Sequence, residues 1–297
     1  MFIVISSFSS ALRSPKIEWN RTFDNARYDN GNSIQQTSDG GYIVAGNTGV
    51  PDNYDFWVIK TDSNGSHQWN KTFGGPLEDT AHSIQQTSDN GYVILGNTFS
   101  LIYDVLLIKV DSNGNIQWNK TFNIFNFSAD NGYSVLQTLD NGYIIAGASS
   151  RYSDFGGFLI KLDSNGDIEW NKTIDKSEFR SIKPTSDGGY IIAGTTNLPE
   201  ERSVDMFLVK TDAGGNFEWN KTFSLFTYDI GYSAQQTSDG GYIIAGISNT
   251  LSDSENVLLV KTDSNGNQQW NKTFGGSKLD SIFSLQQTSD NGYVFAG

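Results

Sequence analysis

Six tryptophans divide the chain at nearly equal intervals, and this spacing constrains the fold more than any other feature. They stand at positions 19, 69, 118, 170, 219 and 270, each followed by Asn, then Lys or Arg, then Thr. The intervals are 50, 49, 52, 49 and 51 residues. Gly-Tyr pairs keep the same step, starting at 41, 91, 142, 189, 241 and 292. A period of this length marks one supersecondary unit copied along the chain. Such a unit cannot bury its apolar surface alone and must stack on its neighbours.

Each period holds four short segments rich in Ile, Val, Tyr, Trp, Phe and Thr. In the first full copy these are SIQQT (33–37), YIVAG (42–46), FWVIKT (56–61) and HQWNKTF (67–73), here strands A to D. Clusters of Gly, Asn, Asp and Ser bound them, and none keeps a helical period. A and B are mostly joined by SDGG or SDNG, and C and D mostly by DSNG. Both connections place Gly or Asn where a tight hairpin turn needs positive φ. Four antiparallel strands per repeat, repeated, is the pattern of a β-propeller blade.

Five copies are complete: 33–73, 83–122, 134–174, 181–223 and 233–274. A strand D at the start (17–23) and strands A and B at the end (284–297) supply three strands of a sixth blade. The expected fold is therefore all-β: a β-propeller of about six four-stranded antiparallel blades, the last shared between the N- and C-terminal segments. The opening MFIVIS has two readings. FIVISSF followed by SSA resembles the apolar region and cleavage site of a signal peptide, without its basic start. FIVIS also aligns with FWVIK as the missing strand C. Residues 1–14 are thus a signal-peptide remnant or a closing strand, and 15–297 are one propeller domain.

Composition excludes several function classes. The net charge is −13, with 20 Lys and Arg against 33 Asp and Glu, so the basic footprint of a nucleic-acid binder is missing. There is no cysteine for a disulfide, a thiolate site or a thiol nucleophile. No apolar run is long enough for a membrane-spanning helix. Only two histidines occur, His67 and His82, and no HExxH or GxxxxGK[ST] motif is present. A two-carboxylate glycosidase leaves no such signature, so this route to catalysis stays open.

The phrase QTSDGGYIIAG…DSNGN–QWNKTFGG resembles exported prokaryotic β-propeller repeat proteins over residues 17–297. The C–D hairpin is also similar to the tryptophan-docking repeat of quinoprotein-type propellers, in which the Trp packs between blades. That resemblance implies a structural role for Trp19, Trp69, Trp118, Trp170, Trp219 and Trp270. The turn is one residue shorter and lacks that family's Thr, so no cofactor chemistry carries over. Export would place the protein outside the cell or in its envelope.

The near-constant A–B and C–D turns share one end of each blade. The divergent B–C and D–A segments share the other, which is where recognition of an irregular partner is expected. That end carries Tyr54, Tyr103, Phe127, Tyr152, Phe226 and Tyr228 among acidic groups, a mixture suited to sugar stacking or protein contacts. The expected function is non-catalytic binding of a polysaccharide or protein partner. The alternatives are a carboxylate-based glycan-active enzyme and a purely structural cell-surface module. One column on this end holds Asp29, Asp79, Asp130, Asp229 and Asp280, with Ser177 in the fourth copy. These carboxylates either form a ring that binds a cation such as Ca²⁺ or cap backbone amides at the loop-to-strand turn. No other cofactor is expected. The lysines of strand C are expected to form exposed pairs with turn aspartates, contributing about 0–1 kcal/mol each.

Overall fold

A computed structural model describes residues 2–7, 16–124, 128–151, 154–198, 203–249, 255–276 and 278–297. Every regular element among them is a β-strand. The chain falls into two compact units: Met1–Tyr143 with Asp163–Gly166, and Ile144–Leu162 with Asp167–Gly297.

The first unit opens with the hairpin β1 (Phe2–Ser7) and β2 (Lys16–Thr22). Its register sets Ile5 opposite Trp19, with a bulge at Ile5/Ser6. Lys60 faces Trp69 in the same way, with a bulge at Lys60/Thr61, so β1–β2 has the register of a C–D hairpin. Two four-stranded sheets follow. One is β3 (Tyr28–Gln36), β4 (Tyr42–Val50), β5 (Asn53–Thr61) and β6 (His67–Phe73). The other is β7 (Asp79–Gln86), β8 (Tyr92–Phe99), β9 (Tyr103–Val110) and β10 (Ile116–Phe122). Strand β11 (Ala129–Gln137) begins the next repeat.

The second unit holds β12 (Tyr143–Arg151), β13 (Asp154–Leu162) and β14 (Ile168–Asp175). Next come β15 (Ser177–Pro184), β16 (Tyr190–Leu198), β17 (Ser203–Thr211) and β18 (Phe217–Phe223). Then follow β19 (Tyr228–Gln236), β20 (Tyr242–Asn249), β21 (Glu255–Thr262) and β22 (Gln268–Phe274). A short hairpin of β23 (Ser284–Gln287) and β24 (Tyr293–Ala296) ends it. Within each repeat consecutive strands are antiparallel neighbours. One parallel contact, Val204 opposite Tyr228, joins β17 to β19.

The burial pattern follows position in the blade. Strands B and C are buried on both faces, as in IIAG and FLVKT, and read as near-continuous apolar runs. Strand D alternates, with Asn70 and Thr72 outward and Phe73 buried. Core clusters bridge successive repeats: Ile43, Phe56 and Val58 pack with Ala81, Ile84 and Tyr92, and Ile191, Met206 and Leu208 pack with Ala234, Tyr242 and Ile244.

Turn chemistry fixes the register. In the A–B turn Thr37 N–H donates to the Gly41 carbonyl, and Asp39 Oδ1 accepts from Thr37 Oγ1 and Gly41 N at 2.5 and 2.9 Å. The third turn position is left-handed: Gly40 at φ 81°, and Asn90, Asn141 and Asn291 each at φ 64°. That is why SDGG and SDNG interchange.

The structure corrects the extent of the strands. Segments 47–55 and 97–104 read as irregular loops in the sequence, yet they are largely ladder. Asn47, Thr48 and Gly49 pair with Phe56, Asp55 and Tyr54. Asn97, Thr98 and Phe99 pair with Val105, Asp104 and Tyr103. Only Pro51–Asp52 and residues 100–102 turn the chain, with Asp52 at φ 66°. Backbone pairing carries the strands through polar residues that break the apolar pattern. The variable end of these blades is therefore a set of stiff β-arms.

Candidate functional site

Two clefts open on the first unit, one at each end of the blades. The larger, about 570 Å³, is lined by Asp39, Lys60, Trp69, Gln86, Tyr92 and Asn113 with their neighbours. These belong to the constant columns, so this cleft is part of the joint between blades. Trp69 stands edge-on to Tyr92, ring centroids 5.9 Å apart. Trp19, Trp118, Trp219 and Trp270 meet Tyr42, Tyr143, Tyr242 and Tyr293 in the same way at 5.5, 5.6, 5.5 and 6.1 Å. Each ring also covers a turn glycine of the following repeat where that turn is present: Trp19 over Gly65, Trp69 over Gly114, Trp118 over Gly166, Trp170 over Gly215 and Trp219 over Gly266.

The strand-C lysines are buried, which corrects the expectation of exposed pairs. Lys60 Nζ donates to Asp39 Oδ2 (2.8 Å), the Thr61 carbonyl (2.8 Å) and Gln68 Oε1 (3.2 Å). Lys210 bridges Asp187 and Glu218 at 2.8 and 3.0 Å. Hydrogen bonds from their lysines hold Asp39, Asp187 and Asp239 down at about 2. Burial raises Asp89, but its bonds from Lys109, Thr87 and Gly91 outweigh that and bring it to about 2 as well. These lysines tie three segments of one blade together, and none is placed for nucleophilic chemistry.

The smaller cleft, about 400 Å³, lies at the variable end and is lined by Tyr28, Asp29, Asn30, Asn47, Tyr54, Glu78 and Thr80. Tyr28 and Tyr54 meet edge to face with centroids 6.5 Å apart. Tyr28 is 44% exposed, and the Arg27 guanidinium lies 5.3 Å from its ring. Glu78 Oε2 accepts the Tyr103 hydroxyl at 2.8 Å. Burial, then this bond, pushes the Tyr103 phenol up. Asn47 Oδ1 is committed to the Ala81 amide at 2.9 Å, which fixes the floor of the cleft. The site thus combines aromatic faces, two carboxylates and amides on rigid strands, with an arginine against one ring.

Of the expected aromatic residues, Tyr54 lies in this cleft and Tyr103 adjoins it through Glu78. Phe226 and Tyr228 belong to the second unit and are 39% and 40% exposed. Phe127 and Tyr152 lie outside the described residues. Tyr28 was missed. It precedes Asp29 as Tyr228 precedes Asp229, so aligning the first copy on its aspartate would have found it.

The aspartate column binds backbone at each of its places. Asp29 Oδ2 accepts from the Asn25 and Ala26 amides (2.8 and 3.3 Å) and Oδ1 from Thr48 Oγ1 (2.5 Å). Burial raises this carboxyl, but the bonds outweigh it and leave it below the usual range. Asp79 accepts from Gly75 N (2.7 Å), Asp130 from Ile124 N (2.6 Å), Asp229 from Leu225 N (2.7 Å) and Asp280 from Gly276 N (2.9 Å). Each closes its own D–A connection. Among the described residues no three His, Cys, Asp or Glu side chains gather as a metal cluster.

No family model matches the chain, and no curated protein sequence matches it. Similarity to solved structures is at the level of fold. A polysaccharide lyase of family PL25, an ulvan lyase bound to -[GlcA(1-4)Rha3S]-, shares 9% identity over 86% of this chain and 71% of its own, with a TM-score of 0.57. Sqt1 from Chaetomium thermophilum shares 11% identity over 96% and 70%, with a TM-score of 0.56. The Pan2 WD40 domain of Neurospora crassa shares 9% over 83% and 66%, with a TM-score of 0.50. The chain is an all-β protein of antiparallel four-stranded sheets whose fold is similar to those of propeller-type proteins.

Proposed function

We propose that this chain is a non-catalytic recognition module that binds a polysaccharide, or failing that a protein partner, at the variable end of a β-propeller. The observation that carries this is the Tyr28–Tyr54–Glu78 cleft. Aromatic rings on stiff strands offer flat apolar area at little entropic cost, and the flanking carboxylate and amides can fix hydroxyl groups. The net charge of −13 favours a neutral or cationic partner over an acidic one.

The proposal includes a propeller of about six blades, the last shared between the N- and C-terminal segments, and kinship with exported prokaryotic propeller repeat proteins. It also includes a place outside the cell or in its envelope. Fold likeness to both a glycan-active enzyme and a WD40 domain is compatible with either binding or catalysis.

One observation favours the enzyme reading. Asp55 is pushed up by burial and by Asp79 beside it, as a general acid would be. The same pair recurs as Asp205 with Asp229 in another blade, and a repeated pair argues for structure. A glycan array combined with a reducing-end assay separates the readings. Binding without turnover supports the module. Turnover lost in Asp55→Asn would establish the enzyme. Neither binding nor turnover would leave a structural role.

A further inference from the structure

We propose that Asp205 and Asp229 hold a hard divalent cation, with Ca²⁺ as the ion that fits, and that Asp55 and Asp79 form an equivalent site. This reaches beyond the recognition cleft and does not depend on it.

Val204 faces Tyr228 across the parallel contact of β17 and β19. The next residues, Asp205 and Asp229, therefore stand side by side with side chains on the same side of the pleat. Both are 0% exposed. Asp229 is well bonded: Oδ2 accepts two amides, from Leu225 and Phe226, and Oδ1 accepts the Ser248 hydroxyl. Asp205 Oδ2 accepts Ser203 Oγ at 3.1 Å, but its buried Oδ1 has no partner. Two adjacent buried carboxylates are costly unless a proton or a cation lies between them.

The same two columns recur in the other repeats. In the first unit Asp55 Oδ1 is again buried without a partner. A Cβ at Gly74 would collide with that oxygen and come within 2.8 Å of Asp79 Oδ2, so the two carboxylates converge on one point. The columns hold Gly156 and Ser177 in another repeat. There both carboxylates are missing together. Elsewhere Asn256 stands beside Asp280, an amide in place of one acid. Asp104, next to Asp130 in its columns, is satisfied by Asn123 Nδ2 at 2.7 Å.

The donor set is all oxygen: two carboxylates, backed by hydroxyls that donate to them. Oxygen sets select hard cations, and an irregular set of this kind suits Ca²⁺ better than the strict octahedron of Mg²⁺. With two carboxylates rather than three, water completes the shell. The expected affinity is that of extracellular modules, about 10⁻⁴–10⁻³ M.

The test is Ca²⁺ stoichiometry by equilibrium dialysis, with thermal melts in EDTA and in about 5 mM CaCl₂, a concentration above that range. Ca²⁺ is expected to raise the wild-type melting temperature, and D205N to lose one bound Ca²⁺ per chain. N256D, which builds a new acid pair, is expected to gain one. Should D205N fail to fold, N256D still decides. A wild-type protein that binds no Ca²⁺ would overturn the proposal. So would D205N binding as much as wild type, or D205N more stable than wild type in EDTA with neither responding to Ca²⁺, which marks a shared proton.

Discussion

Trp118 and Tyr143 meet in a T-shaped contact, ring centroids 5.6 Å apart and planes inclined at 73°, while the same indole covers Gly166. One side chain thus closes a contact with the first residue of a strand B and roofs a C–D turn. Gly166 has φ 82°, and a Cβ there would approach the indole to 3.0 Å. Trp118→Ala is expected to cost about 2–3 kcal/mol, below the full core-truncation range because the indole is half-buried. Gly166→Ala should cost about 1–2 kcal/mol from its left-handed backbone alone. Urea unfolding of both variants checks this. A cost near zero for Trp118→Ala would remove the indole from the joint, and one near zero for Gly166→Ala would remove the left-handed constraint on that turn.

The lysine-bonded aspartates set the acid limb of stability. Asp39, Asp89, Asp187 and Asp239 sit at about 2 in the folded chain, below the ordinary aspartate value of about 4. The unfolded chain therefore takes up these protons first as pH falls. The stabilisation is complete above about pH 4 and is lost between there and about pH 2. Urea midpoints across that window are expected to fall steeply in the wild type and less steeply in Asp187→Asn. Parallel slopes would contradict the assignment.

Much of this framework was legible in the sequence because local backbone demands wrote it. Gly40 and Asn90 mark left-handed turn positions, and the 50-residue step of the tryptophans marks stacking. The arms around Pro51 were not legible. Asn47, Thr48 and Asp55 interrupt the apolar run, yet their backbones keep pairing. Lys60 was placed outside because lysine is rarely buried. Its carbonyl, amide and carboxylate partners come from three separate segments that no single stretch displays. Among the described aromatic candidates, Tyr54 and Tyr103 meet around Glu78, a relation set by the fit of adjacent sheets.

A tight D–A connection stores strain at Lys176, a non-glycine residue at φ 58°. Its carbonyl accepts from Asn197 N and Thr196 Oγ1, and a side-chain change leaves both bonds intact. Lys176→Gly relieves a left-handed penalty of roughly 1–2 kcal/mol and adds a glycine entropy cost of roughly 0.5–1 kcal/mol. The expected result is a net gain of about 0.5–1 kcal/mol, read as a higher melting temperature. A lower one would mean that the side chain itself carries stability.

Glu78 links the cleft to Tyr103, so Tyr103→Phe frees its carboxylate without removing a ring. A loss of about 0.5–1.5 kcal/mol in ligand affinity is expected, the value of one hydrogen bond that positions a binding group. Calorimetric titration with the glycan found on the array measures it. Unchanged affinity would place Glu78 outside the site.

The central claim is that the constant motif holds the blades together while the variable cleft does the binding. Glycan affinity of Tyr54→Ala and Trp118→Ala, compared at a temperature where both are folded, tests it most directly. Tyr54→Ala should bind at least tenfold more weakly with an unchanged melting temperature. Trp118→Ala should melt lower and bind as wild type does. A folded Trp118→Ala that loses binding while Tyr54→Ala keeps it would contradict the account.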